Sequence, residues 1–415
     1  ELFPRSENHE KGASLIEVID KTHTPMGARL LRQWLVMPLR DRIAIEERHN
    51  VVSSLLEQWE LVGKLRKMLS QVGDMERIVS RAAAGRISPR EVAQLRTGLN
   101  QASRIKNLTA QIPSADPVHS LASGLDDCAA LADKLQQMIV SSPAVQPGKG
   151  NVIAPGVDPQ LDELRHILSH NKEYLQQMQQ EAAGQTGISS LKIGFNNVFG
   201  YYIEVRNTHK DKVPGSWIRK QTLVSAERYI TEELKSYEEK ILGAEEKISQ
   251  LEQDLFNRVV DAIRASIPPI QQNARILARL DCLLGFAILA REQKYARPRM
   301  QDDDVIDIRQ GRHPVLETLM PPGEAYVPND VYLDTGQQQI IILTGPNMAG
   351  KSALLRQTGL IMLLAQIGSY VPAKEASLGI IDKLFTRVGA SDNIARREST
   401  FMVEMLESAA ILNNV

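Results

Sequence analysis

The stretch Gly345-Pro346-Asn347-Met348-Ala349-Gly350-Lys351-Ser352 separates two glycines by four residues and closes on lysine and serine. These residue types at this spacing suit a polyphosphate. Glycine lets successive backbone N–H groups converge on the oxygens of a β-phosphate. Lys351 supplies a point charge toward the β- and γ-phosphates, and Ser352 offers a hydroxyl to Mg2+. Lys351 and Ser352 are the candidate catalytic residues, and Ser352 is the candidate metal ligand. The flanks agree. A β-branched run over 337–344, QQQIIILT, predicts a strand entering the loop, and ALLRQTGLIMLLAQ over 353–366 predicts a helix leaving it, positive end toward the anion. That context favours a phosphate loop over a glycine-rich turn that merely joins strand to helix.

Phosphoryl transfer needs further parts: an acid at the end of a second strand, to hold Mg2+ through water, and a base or water-positioning group. The acids after the loop, Asp382, Asp392, Glu398, Glu404 and Glu407, lie in helical or loop contexts, and no apolar run followed by Asp or Asp-Glu appears. The expectation is the first part of an ATPase module, inefficient at hydrolysis by itself.

The residues ahead of the loop must then position or use it. Residues 14–140 read mostly as helix, with SPREV at 88–92 as a helix start. The Pro- and Gly-rich stretch 141–159 predicts an exposed connection, and 161–183 predicts one helix. Within 191–207, Tyr201, Ile203 and Val205 alternate with Tyr202, Glu204 and Arg206, which predicts a β-hairpin. Leu234, Tyr237, Ile241, Ala244, Ile248, Leu251 and Leu255 then recur at alternating spacings of 3 and 4, the seam of a long helix packed along another. The helix at 161–183 is its natural partner, which sets the β insertion at the tip of a helical arm. An ordinary amphipathic helix on a compact core shares the pattern.

That tip is basic. Arg206, Lys210, Lys212, Arg219, Lys220 and Arg228 face only Asp211 and Glu227 in the stretch, with His209 and Trp217 interleaved. A solvated face and a nucleic-acid surface read alike here, and a β tip on a long arm makes phosphate contact the better reading. The global net charge of −1 does not advertise such a partner, so the surface must be local. The length of 415 residues, with 43% hydrophobic and 24% charged residues, describes an ordinary multidomain globular protein. No run of eighteen apolar residues predicts a membrane span, and the polar opening residues do not read as a signal peptide. Cys128 and Cys282 lie far apart without zinc spacing, which predicts two buried thiols in a reducing cytosol.

Several stretches together resemble the MutS DNA mismatch-repair family. TGPNMAGKS (344–352) with LRQTGLI (355–361) resembles its nucleotide loop and following helix, and STFMVEM (399–405) its counterpart of the ABC-ATPase signature. GRHPVLE (311–317), IGSYVPA (367–373) and KTHTPMGARLLRQWLVMPL (21–39) are similar to other family stretches. GFNNVFGYYIEVRN (194–207) and QTLVSAERYITEEL (221–234) resemble its clamp, which places the likeness in the mismatch-recognising branch. The resemblance implies a multidomain protein: a mainly α-helical core with levers, a small β-rich clamp, and part of an α/β P-loop ATPase domain of ABC type. The implied limits are 1–180 for core and first lever, 181–231 for the clamp, 232–297 for the second lever and return to core, and 298–415 for the ATPase part. It further implies ATP or ADP with Mg2+, a homodimer closing on double-stranded DNA, a MutL-type partner, no membrane, and a bacterial-type cytoplasmic, nucleoid-associated setting.

Carried over onto this sequence, residues Gly345 to Ser352 would hold the nucleotide phosphates, and Tyr326 with Val327 would flank adenine. Ser399 would reach the γ-phosphate of ATP on the other subunit. By residue type alone, Tyr326 reads equally as a core tyrosine before a strand, and Ser399 as a helix cap. Ala349 and Ala353 depart from the family's usual Gly and Thr. Nothing matches the family's N-terminal mismatch-reading wedge, so this chain alone is expected neither to recognise a mismatch nor to hydrolyse ATP efficiently. Two other classes share parts of the pattern: SMC-type coiled-coil ATPases, whose far longer arms separate the ATPase halves, and a non-catalytic helical scaffold.

Overall fold

The computed structural model describes residues 2–4, 14–196, 200–321, 323–346, 350–386 and 400–414. Two compact units divide it: residues 1–77, 97–128 and 268–415, and residues 78–96 with 129–267. Among the described residues no helix is long and apolar enough to cross a membrane.

The first unit is built around the helix Ile267–Gln293, buried along most of its length between Ile270 and Ala290. A helix with so wide an apolar surface belongs in a core. It buries one charge. Asp281 is fully buried and accepts from His23 N at 2.9 Å, Thr24 N at 2.8 Å and Thr24 Oγ1 at 2.7 Å. Thr24 in turn caps the helix Pro25–Val36 by accepting from Gly27 N at 2.9 Å. A Cβ on Gly27 would collide with the Asp281 carboxylate, which is why glycine stands there. Cys282 is buried and donates to Gly27 O at 3.2 Å, whereas Cys128 is only half-buried, against the expectation of two buried thiols.

This unit also holds a small sheet: β5 (Arg299–Gln301), β6 (Ile306–Gly311), β7 (Asn329–Leu333) and β8 (Glu375–Gly379), in the order β5-β8-β6-β7. The labels follow chain order, with β1 to β4 in the second unit. The helix Lys351–Gln366 packs on β6. Its far end is anchored by Gln366, whose Nε2 donates to Leu39 O at 2.8 Å and Ile381 O at 3.0 Å. Arg48 adds a bond to Ile367 O at 2.7 Å while its guanidinium lies 3.5 Å from the Trp34 ring centroid. The helix that follows the glycine loop is thus fixed at its other end to Leu39, in the connection after Pro25–Val36, and to Arg48 of the helix Arg42–Glu57.

The strand expected over 337–344 does not form. Residues 338–346 are irregular, with Ile340 79% and Ile342 83% exposed. A β-branched run becomes a strand only where neighbouring strands take its N–H and C=O groups, and the described residues bring none beside it.

In the second unit the helix Glu232–Ala265 runs 34 residues, capped by Thr231, which accepts from Leu234 N at 3.1 Å. Its length is about 51 Å at 1.5 Å per residue. Leu234, Ile241, Ala244 and Leu255 of the expected seam are buried, and Tyr237, Ile248 and Leu251 half-buried. The partner comes as two helices, Pro159–Ser169 and Asn171–Thr186, not one. The break at His170 is local. Ser169 Oγ donates to His166 O at 2.9 Å, and His170 Nδ1 lies 2.9 Å from the same carbonyl, so side chains compete for a helix carbonyl. Tyr174 and Tyr237 stack across the pair at 4.4 Å.

The stretch 141–159 is not simply exposed. Val152 and Ile153 are fully buried, and the buried Glu252 accepts from Gly148 N at 2.7 Å, Val152 N at 3.1 Å and Arg165 Nη2 at 2.5 Å. Its Pro and Gly content conceals one apolar anchor. The helix start at Ser88 is as expected: Ser88 N and Oγ both donate to Glu91 Oε2 at 2.8 Å, a capping box.

Beyond Asn171–Thr186 the chain forms an antiparallel sheet of β1 (Lys192–Asn196), β2 (Gly200–Arg206), β3 (Ile218–Thr222) and β4 (Ala226–Ile230), ordered β1-β2-β4-β3. Ile203 pairs with Ile193 and Tyr229, so the expected hairpin register puts Ile203 and Val205 on the inner face. They pack there with Met178, Ala182 and Leu234. At Gly200, with φ +75°, an added Cβ would strike the Glu238 carboxylate.

Candidate functional site

Both glycines of the loop sit at positive φ, Gly345 at +148° and Gly350 at +82°. An L side chain is strained at either position, which explains the residue type. Gly350 is the N-cap of Lys351–Gln366, so the helix begins inside the loop motif, and the N–H groups of a first helical turn have no partner within the helix. Lys351 Nζ curls back onto the loop, donating to Gly345 O and to Pro346 O at 2.9 Å. The ammonium therefore lies over the loop backbone, and Ser352 is exposed in the first helical turn. Asn347, Met348, Ala349 and Ser399 lie outside the described residues.

Tyr326 and Val327 precede β7. Val327 is 76% exposed. Tyr326 is half-buried, its hydroxyl donates to Gln357 Oε1 at 3.0 Å, and burial raises its pKa above the ordinary phenol value. The structure thus joins Tyr326 to the helix headed by Lys351. Sequence reasoning did not single out Gln357; an amide inside an apolar helix carries no local signal of what it holds.

On the basic sheet, Arg206, Lys210, Lys212, Arg219 and Lys220 are all exposed. Lys210 and Lys212 belong to the 3-10 turn Asn207–Lys212. The β3–β4 register shifts between Arg219 and Gln221, leaving Lys220 as the extra residue of a bulge, where strands re-aim side chains. Arg219 lies 3.4 Å from Glu227 but keeps 62% of its side chain exposed. The Tyr229 hydroxyl holds the Glu227 carboxyl below its usual range, and burial first, with that bond, pushes Tyr229 up to about 12.

Arg228 differs from the other five. Its Nε meets Glu204 Oε2 at 3.1 Å, its Nη1 donates to Gln221 at 3.0 Å, and its guanidinium lies 4.1 Å from the Tyr202 ring centroid. Those contacts commit it to the sheet. Trp217 is likewise a packing residue, edge-on to Tyr229 at 6.1 Å. Phe195, in β1, is 51% exposed with its ring 4.9 Å from Tyr201.

The structure therefore defines a helical protein with a glycine loop heading one helix and a basic antiparallel sheet following a helical pair. Comparison with known proteins places it further. Residues 1–287 match the family model of MutS domain III, and residues 341–415 that of MutS domain V. The DNA mismatch repair protein MutS of Bacteroides thetaiotaomicron is 57% identical over 407 residues, covering 98% of this chain and 47% of that protein. Those of Parabacteroides distasonis and Flavobacterium psychrophilum are 57% and 54% identical, over 98% and 97% of this chain and 47% and 46% of theirs. The chain belongs to the MutS family, and it spans about half the length of the curated relatives it matches.

Proposed function

We propose that this chain serves DNA mismatch repair by gripping duplex DNA through the backbone at its basic sheet, under the control of ATP held at the glycine loop. The observation that carries the reading is a cluster of five exposed cations, Arg206, Arg219 and Lys220 on the small sheet and Lys210 and Lys212 on the adjoining 3-10 turn, in a chain whose overall charge is −1. Phosphate contacts of this kind fix position without reading sequence. Gly345 through Ser352 bind the triphosphate, with Tyr326 and Val327 beside the base and Ser399 acting on ATP of the other subunit of a homodimer. Ser352, exposed in the first turn of the helix that the loop heads, would serve as a protein donor to Mg2+ accompanying the phosphates. Bound Mg2+ supplies charge neutralisation. The segment roles follow: core and first lever in 1–180, clamp in 181–231, second lever in 232–297, ATPase part in 298–415. ATP hydrolysis, mismatch recognition and recruitment of a MutL-type partner belong to the longer protein, a bacterial-type cytoplasmic and nucleoid-associated factor.

Five residues, Arg206, Lys210, Lys212, Arg219 and Lys220, form the contact set; Arg228 supports the sheet. Anisotropy titration of a labelled duplex at several salt concentrations tests this. Arg219→Ala with Lys220→Ala flattens the log–log salt slope by about 2 and lowers affinity roughly tenfold at low salt. Arg228→Ala alters sheet stability more than slope. An unchanged slope in the double variant removes the clamp assignment.

A further inference from the structure

Gln357 is fully buried, and its two polar atoms have unequal fates. Oε1 accepts from the Tyr326 hydroxyl at 3.0 Å, while among the described residues Nε2 has no hydrogen-bond partner. Leaving a buried amide donor unmade costs on the order of 1–3 kcal/mol. An apolar residue at this place in an otherwise apolar helix face avoids that penalty, so packing alone does not account for the amide. Nor is the space loose. A Cβ on Gly311 would come within 2.6 Å of Gln357 Nε2 and 2.8 Å of Ile308 Cγ2, so β6 presents bare backbone to the amide. The amide is held from one side by the strand and on the other holds the phenol.

The geometry points to Gln357 as a positioning residue for the base end of the nucleotide. It fixes the Tyr326 ring by its hydroxyl, so that ring and phosphate loop are carried by one rigid helix. The inference rests on the reading of the loop as a nucleotide site and adds what sets base affinity there. Gln357 lies six residues after Lys351, about 9 Å along the helix axis. A tyrosine ring tied to that helix cannot swing independently of the loop, and a ring already oriented loses less freedom on stacking with a base. The neighbouring Val327, 76% exposed, has no such tether.

The test compares two ligands that share phosphates and differ in the base: ATP and inorganic tripolyphosphate, each competing against a fluorescent ATP analogue on the purified chain with Mg2+. Three variants are used: Tyr326→Phe, which keeps the ring and deletes the tether; Gln357→Met, which keeps the volume; and Gly311→Ala, which displaces the amide from behind. Each weakens ATP about fivefold and leaves tripolyphosphate within twofold. Tyr326→Phe combined with Gln357→Met weakens ATP no further than either alone, because both delete one bond. Equal losses for the two ligands show a role in helix packing and overturn the inference, as do additive losses or an ATP affinity unmoved by Tyr326→Phe while tripolyphosphate still binds. If neither ligand binds the unaltered chain, the loop reading falls and this inference falls with it.

Discussion

Asp281→Ala destabilises the first unit by about 3–5 kcal/mol and raises hydrogen exchange throughout the helix Pro25–Val36. Asp281 is buried, and His23 N, Thr24 N and Thr24 Oγ1 all point at its carboxylate. Removing the acceptor leaves three donors in a dry interior, each costing on the order of 1–3 kcal/mol, although the chain relaxes to recover part of this. The loss also spreads, because Thr24 caps Pro25–Val36 and is itself oriented by Asp281. Losing a cap adds about 1 kcal/mol. Asp281→Asn keeps the volume and one acceptor and falls in between. Denaturant unfolding followed alongside exchange mass spectrometry measures both; a shift below about 1 kcal/mol, or exchange that stays slow in Pro25–Val36, contradicts the role.

Glu252→Ala produces the corresponding failure in the second unit, about 3 kcal/mol. Glu252 is 1% exposed and gathers Gly148 N, Val152 N and the Arg165 guanidinium. Deleting one member of a buried ion pair strands the other charge, which is why such truncations are severe even when the intact pair adds little net stability. The expected signature is regional. Amides near 148–153 lose protection first, while the helix Glu232–Ala265 stays protected over its middle. Glu252→Gln retains an acceptor for the two backbone donors and recovers part of the loss. If Glu252→Ala and Glu252→Gln behave alike, the charge pairing with Arg165 matters and the backbone contacts do not.

These two carboxylates also mark where sequence reading stops. Asp281 lies 257 residues from Thr24, and Glu252 lies 100 from Val152. In the sequence each is one acid within a helical pattern, and nothing local distinguishes it from a solvated one. The same limit applies to Arg228, which counts as one basic residue among six until the register sets Glu204 across from it. What was legible depended on short-range rules. The glycine loop shows itself because phosphate binding demands fixed spacing, and the long helix because its seam repeats over twenty residues, Leu234 to Leu255. The β1–β2 hairpin shows through period-two alternation, and the start at Ser88 through a three-residue capping pattern. Of the local expectations that failed, two have reasons in the backbone. The run 337–344 has strand composition but no neighbouring strand among the described residues. The helix predicted at 161–183 is divided at His170 by side-chain bonds to the His166 carbonyl, which periodicity does not register.

The account turns on one claim, that the cradle formed by Gly345, Gly350 and Lys351 holds a polyphosphate. Equilibrium titration of a fluorescent ATP analogue with Mg2+ tests it most directly, using the purified chain and its Lys351→Ala variant. The account predicts saturable binding that weakens at least tenfold on losing the ammonium, with denaturant unfolding unchanged because the Lys351 ammonium bonds to carbonyls of its own loop. Absence of binding to the unaltered chain, or equal affinity in the variant, contradicts it.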